Sequence, residues 1–302
     1  DVVRKSIYRP FCKQNLYFDK SLIESPGLTS RLYPTHSTKN KVICLTGIGS
    51  SKDFSILMSD SIIDLQVQFN GQCFPLYYFE AQDKENLSLF DASSDSEHIQ
   101  RDGVSDFILE RARAIYGDRV KKEDVFYYVY GILHSQDYRN TFANDLTKML
   151  PRIPLVDEPR DFWKFSKSGR ELADLHINYE SVPPSEEVSV IGEEAENYKV
   201  TKLKFPKKDQ KETILYNGSI TIENIPEKAY QYVVNGKSAI EWILDRYQVK
   251  TDKKSGITND PNDWADEVGN PRYILDLLLS VINLSCQTVD IVNGLPKLDL
   301  DK

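Results

Sequence analysis

Val125, Tyr128, Val129, Ile132 and Leu133 recur at three- and four-residue spacing, the apolar stripe of an amphipathic helix. Ser135 and Asp137 then supply capping oxygens for a second helix, whose apolar face continues through Phe142, Leu146 and Leu150. Pro151 and Pro154 lack a backbone donor and disfavour helix in the residue before each, so the chain leaves as an extended segment that presents Arg152. On pattern alone the same stretch also fits a helical hairpin inside a core.

Elsewhere the period changes. From Val42 to Tyr78 short apolar runs, VICLTGIG, FSILMS, SIIDLQVQF and CFPLYYF, are broken by Gly, Ser, Asp and Asn, which predicts strands and turns. Val104 to Ile115, with Ser105 as cap, and Lys122 to Leu150 read as helices. Residues 151–170 are rich in Pro and aromatics, and Arg170 to Tyr179 is a further helix that ends before Pro183-Pro184. Ser181 to Asn197, rich in Pro, Ser and Glu, reads as an exposed connector. TKLKFPK and ETILYNGSITIENI then form a hairpin turning at Asn217-Gly218, a dipeptide favoured where both turn residues need positive φ. Pro226 to Tyr232, Lys237 to Tyr247 and Pro271 to Val292 complete the helices. This order predicts an α+β protein: a mostly β lobe (1–100), a helical segment (101–180), the connector (181–197), and a hairpin with a helical C-terminal lobe (198–302).

Composition narrows the class. At 302 residues with 11% aromatics the chain can bury a large core and is not disordered. Its strongest apolar run, Tyr273 to Leu284, is short and interrupted by Asp276 and Ser280, so no membrane span or secretory leader is expected. Cys12, Cys44, Cys73 and Cys286 are scattered, as free thiols in a reducing cytoplasm would be. His36, His98, His134 and His176 lack ligand spacing, so no metal is expected.

Catalytic motifs fail residue by residue. A glycine-rich cofactor loop with Asn-Pro-Pro-aromatic, as an adenine methyltransferase needs, is missing: Asn270-Pro271-Arg272-Tyr273 lacks the second proline. Gly236-Lys237-Ser238 ends like a phosphate-binding loop, but Gln231 stands where its first glycine belongs. Asp209-Gln210-Lys211 and Asp252-Lys253 mimic the tail of a nuclease motif outside any apolar strand. Gly47 to Lys52 reads as a strand turn, or as amides plus Lys52 around a phosphate. The fragment is expected to have no turnover of its own.

Several strings carry a resemblance: Leu133-His134-Ser135, Tyr138-Arg139, Phe142, Leu146 and Leu150 to Leu155, with RKSIYRPF, QNLYF, CFPLYYFE, DFWKFSKSGRELADLHINYE, YVVNGKSAIEWILDRYQV and DPNDWADEVGNPRYILDLLLSVI. Each is weak alone. Together, in this order along nearly the whole chain, they resemble the C-terminal target recognition domain of Type ISP single-polypeptide restriction-modification enzymes. The resemblance implies double-stranded DNA as partner, with nuclease, helicase-like and adenine-methyltransferase domains upstream in the same polypeptide. It also implies S-adenosylmethionine, ATP and Mg2+ as cofactors of those domains, with none in this fragment. The opening on Asp1 rather than methionine agrees with such a tail.

A net charge of -8 is unusual for a DNA reader, but local potential decides contact. Residues 1–60 hold nine Lys/Arg against five acids, and residues 198–216 six Lys against two. Residues 64–97 and 186–196 are acidic. Phosphate and base contacts are therefore expected from Arg4, Lys5, Arg9 and Lys13, from Arg139 and Arg152, and from Lys164, Lys167 and Arg170. Lys52, Lys202 and Lys204 join them on local charge alone. Two other readings stay open: a docking module that packs on a methyltransferase or helicase partner without touching DNA, and an enzyme whose site is assembled from distant residues.

Overall fold

The computed structural model describes residues 2–19, 21–23, 27–82 and 98–300; Lys20 and the acidic positions 83–97 lie outside them. Helices combine with small sheets, an α+β architecture. Two compact units emerge, the first comprising Asp1–Arg9, Lys13–Ala173 and Leu295–Lys302, the second Pro10–Cys12 and Asp174–Gly294. The division falls inside a helix rather than in residues 181–197, and the chain's last residues join the first unit.

The first unit opens with β1 (Val3–Arg9), β2 (Cys12–Tyr17), the one-turn helix α1 (Thr29–Leu32), β3 (Val42–Leu45), β4 (Ile56–Ser59), β5 (Ile62–Ile63), β6 (Gln72–Pro75), β7 (Tyr77–Ala81) and β8 (His98–Asp102). They pair as β2-β1-β5, β4-β3-β6 and β7-β8. β3 is central and buried throughout, with Ile43 opposite Met58 and Phe74, and Cys44 opposite Leu57 and Cys73. Within the apolar run Ser61 to Phe69, strand gives way to a 3-10 turn over Leu65–Gln68. Asp64 causes the break, because its carboxylate accepts the Gln66 amide at 2.8 Å and so favours a cap over a ladder.

Helices follow: α2 (Asp106–Tyr116), α3 (Lys122–His134), α4 (Gln136–Thr141), α5 (Ala143–Leu146) and α6 (Pro159–Ile177). Ser105 caps α2, accepting the Ile108 amide, and Gly117 at φ 94° ends it. Burial on α3 exceeds a stripe, since Phe126, Tyr127 and Tyr130 are as buried as Val125, Tyr128, Ile132 and Leu133. Two glycines explain it. A Cβ on Gly131 would stand 2.3 Å from the Phe165 carbonyl oxygen, and one on Gly169 would stand 1.9 Å from that of Tyr127. α3 and α6 thus meet backbone to backbone. α6 starts eleven residues before the expected Arg170, because Pro159 sits in the first turn, where its missing donor costs nothing.

In the second unit β9 (Ser189–Ile191), β10 (Ile214–Leu215) and β11 (Thr221–Glu223) form a sheet ordered β10-β11-β9, so part of the expected connector is strand. β12 (Val233–Val234) and β13 (Lys237–Ser238) form a hairpin before α7 (Ala239–Arg246); β14 (Lys250–Thr251) and β15 (Thr258–Asn259) form another before α8 (Asn262–Glu267) and α9 (Tyr273–Asn293). Residues 227–230 make only a 3-10 turn where a helix was expected from Pro226. α9 is long and apolar enough to cross a membrane, yet 72% of its most apolar window is buried within the protein. Phe11, at φ 58°, is buried in this unit against Tyr179 and Tyr232 at 5.5 and 6.1 Å. The expected Asn217-Gly218 turn joins β10 to β11, but neither residue has positive φ. The Asn217 carboxamide oxygen instead accepts the Ser219 and Ile220 amides at 2.8 and 2.7 Å.

Candidate nucleic-acid interface

In the first unit, residues 151–156 run extended because Pro151 and Pro154 forbid helix, and three tyrosines hold the strand's path. Tyr138 donates to the Arg152 carbonyl at 2.9 Å, Tyr128 to that of Pro154 at 2.7 Å, and Tyr116 to that of Val156 at 2.6 Å. Alternate carbonyls are clasped, the period of an extended chain. The Val156 amide returns a bond to the Tyr128 hydroxyl at 3.1 Å. Burial, with Asp157 near Tyr116 and Asp145 near Tyr138, pushes both hydroxyls up to about 12, so they stay protonated donors. The Arg152 side chain is exposed, as expected.

Beside this strap, Ser135 caps α4 through the Tyr138 amide, as expected, but Asp137 binds the Leu298 amide at 3.1 Å instead of capping. Arg139 donates to the Leu133 carbonyl at 2.6 Å and lies 5.7 Å from the Phe54 ring. It therefore closes the end of α3 and touches the β3–β4 loop. That loop is pinched at its base by Thr46 and Ser55 and docks through the Gly49 amide on the Thr147 carbonyl at 3.0 Å. Lys52, at its tip, stands 5.2 Å over Phe69. Arg139 thus touches the loop that carries Lys52, and its neighbour Tyr138 holds the Arg152 carbonyl; Ile48, Met149 and Leu150 are each at least 40% exposed. Gly47 to Lys52 is a strand turn: the Gly47, Gly49, Ser50 and Lys52 amides all bond within the protein, which removes the phosphate cradle.

Other expected residues of this unit are engaged elsewhere. Arg4 donates to the Tyr33 and Pro34 carbonyls at 2.6 and 3.3 Å, and Arg9 pairs with Asp64 at 2.8 Å. Arg170 pairs with Asp124 at 3.3 Å and covers Tyr127 at 4.1 Å. Lys167 faces Glu171 across one helical turn at 3.8 Å, with Lys164 exposed on the same helix. Lys5 and Lys13 lie on β1 and β2.

In the second unit Lys202 and Lys204 are exposed, and the chain around them is tied to the link between α7 and β14. The Val249 amide bonds the Thr201 carbonyl at 3.0 Å, and Gln248 bonds that of Leu203 at 3.3 Å. Next to this seam Lys237, Arg246 and Lys250 all reach Asp245, at 3.0, 2.5 and 3.0 Å. Burial would raise the Asp245 carboxyl, but these three cations hold it well below the usual range. Three cations on one carboxylate leave positive charge over, and Lys253 and Lys254 extend it on the exposed β14–β15 turn.

The profile of the Type ISP C-terminal specificity domain matches residues 1–277. The chain belongs to that family. Among solved structures, the ATP-dependent Type ISP restriction-modification enzyme LlaBIII bound to DNA is similar at 40% identity and TM-score 0.87, over 99% of this chain and 18% of that one. A nuclease-deletion mutant of the Type ISP enzyme LlaGI in complex with a DNA substrate mimic is similar at 41% identity and TM-score 0.81, over 100% of this chain and 25% of that one. The DrdV–DNA complex shares 28% identity and a TM-score of 0.82, over 99% and 29%. This specificity domain thus spans less than a third of the chains it matches. No curated protein sequence matches it.

Sequence reading of the specificity domain missed the Lys237, Arg246 and Lys250 cluster. Counting charge along the chain finds blocks, whereas this patch is assembled from a hairpin, a helix end and a second hairpin. Basic residues spaced through 237–254 were its only trace.

Proposed function

We propose that this chain recognises a specific sequence in double-stranded DNA as the specificity domain of a restriction-modification enzyme. The observation that carries the reading is likeness over 99% or more of the chain to three proteins solved with DNA or a DNA mimic, two of them Type ISP restriction-modification enzymes. Geometry supports it: the strap holds the Arg152 backbone and presents its side chain to solvent, and exposed Ile48, Met149 and Leu150 offer apolar contact of the kind that reads a thymine methyl. The Lys202–Lys204 and Lys237–Lys250 surface suits phosphates, which position without specifying. In the cytoplasm the parent polypeptide would add nuclease, helicase-like and adenine-methyltransferase domains, using ATP, Mg2+ and S-adenosylmethionine there and none here.

Affinity for duplex DNA measured against salt tests this. With roughly six phosphate contacts, log K falls with log salt at a slope of about -5. Tight binding that salt leaves unchanged, or no binding to any duplex from a randomised pool, would point instead to a docking module.

A further inference from the structure

Cys44 on β3 and Cys73 on β6 stand directly opposite in the antiparallel register. Residues so paired project from one face with Cα atoms roughly 4.5–5.5 Å apart, within the span that a disulfide bridges. Both are free thiols, and each acts on the other, raising the pKa of Cys44 and lowering that of Cys73. Cys44 is 1% exposed, whereas Cys73 is only partly buried. Both line a cavity of about 860 Å³ whose wall also includes Tyr33, Leu65 and Gly71. A Cβ at Gly71 would lie 3.1 Å from the Cys44 sulfur, so the bare backbone there leaves room for that thiol.

We propose that Cys44 and Cys73 form a reversible dithiol site that exchanges with small-molecule disulfides entering this cavity. Cys73 attacks first, because it is the more accessible and because the influence of the neighbouring Cys44 outweighs burial and lowers its pKa. Its thiolate displaces one thiolate from the disulfide, giving a mixed disulfide. The Cys44 thiolate then attacks the Cys73 sulfur and releases the second. The two thiol protons end on the two released thiols, so one external disulfide is reduced as one internal disulfide forms. The bond ties β6 to β3 just before the loop that carries Lys52.

The test treats the native protein with oxidised glutathione, quenches with an alkylating agent and maps linked peptides. The expected result is a mass lower by two hydrogens, a Cys44–Cys73 peptide as the linkage, and reversal by dithiothreitol. Phenylarsine oxide, a probe of paired thiols, should bind one per chain to the reduced protein, and Cys73→Ser should abolish both results while Cys12→Ser changes neither. Because Cys44→Ser alters a buried position, the peptide map of the unsubstituted protein stands independently of it. Glutathione retained on Cys73 without progress to the internal bond, or linkage only in denaturant, overturns the proposal.

Discussion

Tyr138 and Arg152 do separable work although they belong to one short motif. The Tyr138 hydroxyl is a buried donor to the Arg152 carbonyl, whereas the Arg152 side chain points to solvent. Tyr138→Phe should therefore lower stability by about 1–2 kcal/mol, since it leaves a carbonyl without its partner, as a shift in urea midpoint would show. Arg152→Ala should leave that midpoint within about 0.5 kcal/mol, as surface changes do. It should instead weaken DNA binding roughly tenfold and reduce the salt slope by about one if the residue meets a phosphate. Equal loss of stability in both variants would contradict the division. The exposed Arg152 was legible in the sequence because two prolines dictate the strap, but its clasp was not, because the hydroxyls come from three helices.

Among elements, the contact of α3 with α6 depends on absent side chains. Gly169→Ala puts a methyl 1.9 Å from a backbone oxygen that cannot swing away, so roughly 1–3 kcal/mol or more of destabilisation is expected in thermal unfolding. The same substitution at Gly218, where nothing lies within 4 Å and φ is not positive, should be nearly neutral. Two of the Asn-Gly dipeptides, at 217 and 235, show where local reading stops. Asn217-Gly218 was assigned the positive-φ turn, but that geometry belongs to Asn235-Gly236, at φ 53° and 81° between β12 and β13. Neighbouring strands select the turn: at 217 the loop is longer and the Asn side chain closes it. The start of α6 was placed at Arg170 rather than at Pro159, because a Pro- and aromatic-rich stretch does not show locally that one of its prolines opens a helix. What survived, such as the Ser105 and Ser135 caps and the apolar run that became α9, rests on interactions within a few residues.

For the whole molecule, buried tyrosines set the alkaline limit. An ordinary tyrosine titrates near 10.0, and burial takes Tyr116 and Tyr138 to about 12. Above pH 10 the unfolded chain releases protons that the native state keeps, so stability is intact below that pH and declines as pH climbs towards 12. Urea midpoints should therefore hold steady from neutrality to about pH 9 and drop by about pH 11, with the drop reduced in Tyr138→Phe. An unchanged midpoint at the higher pH would show that these hydroxyls ionise freely. A strap gripped by its main chain imposes little on what hangs from it. Any residue tolerant of extended backbone can replace Arg152 without redirecting the path; if the side chain there meets DNA as proposed, single exchanges would alter recognition while the scaffold stays as it is.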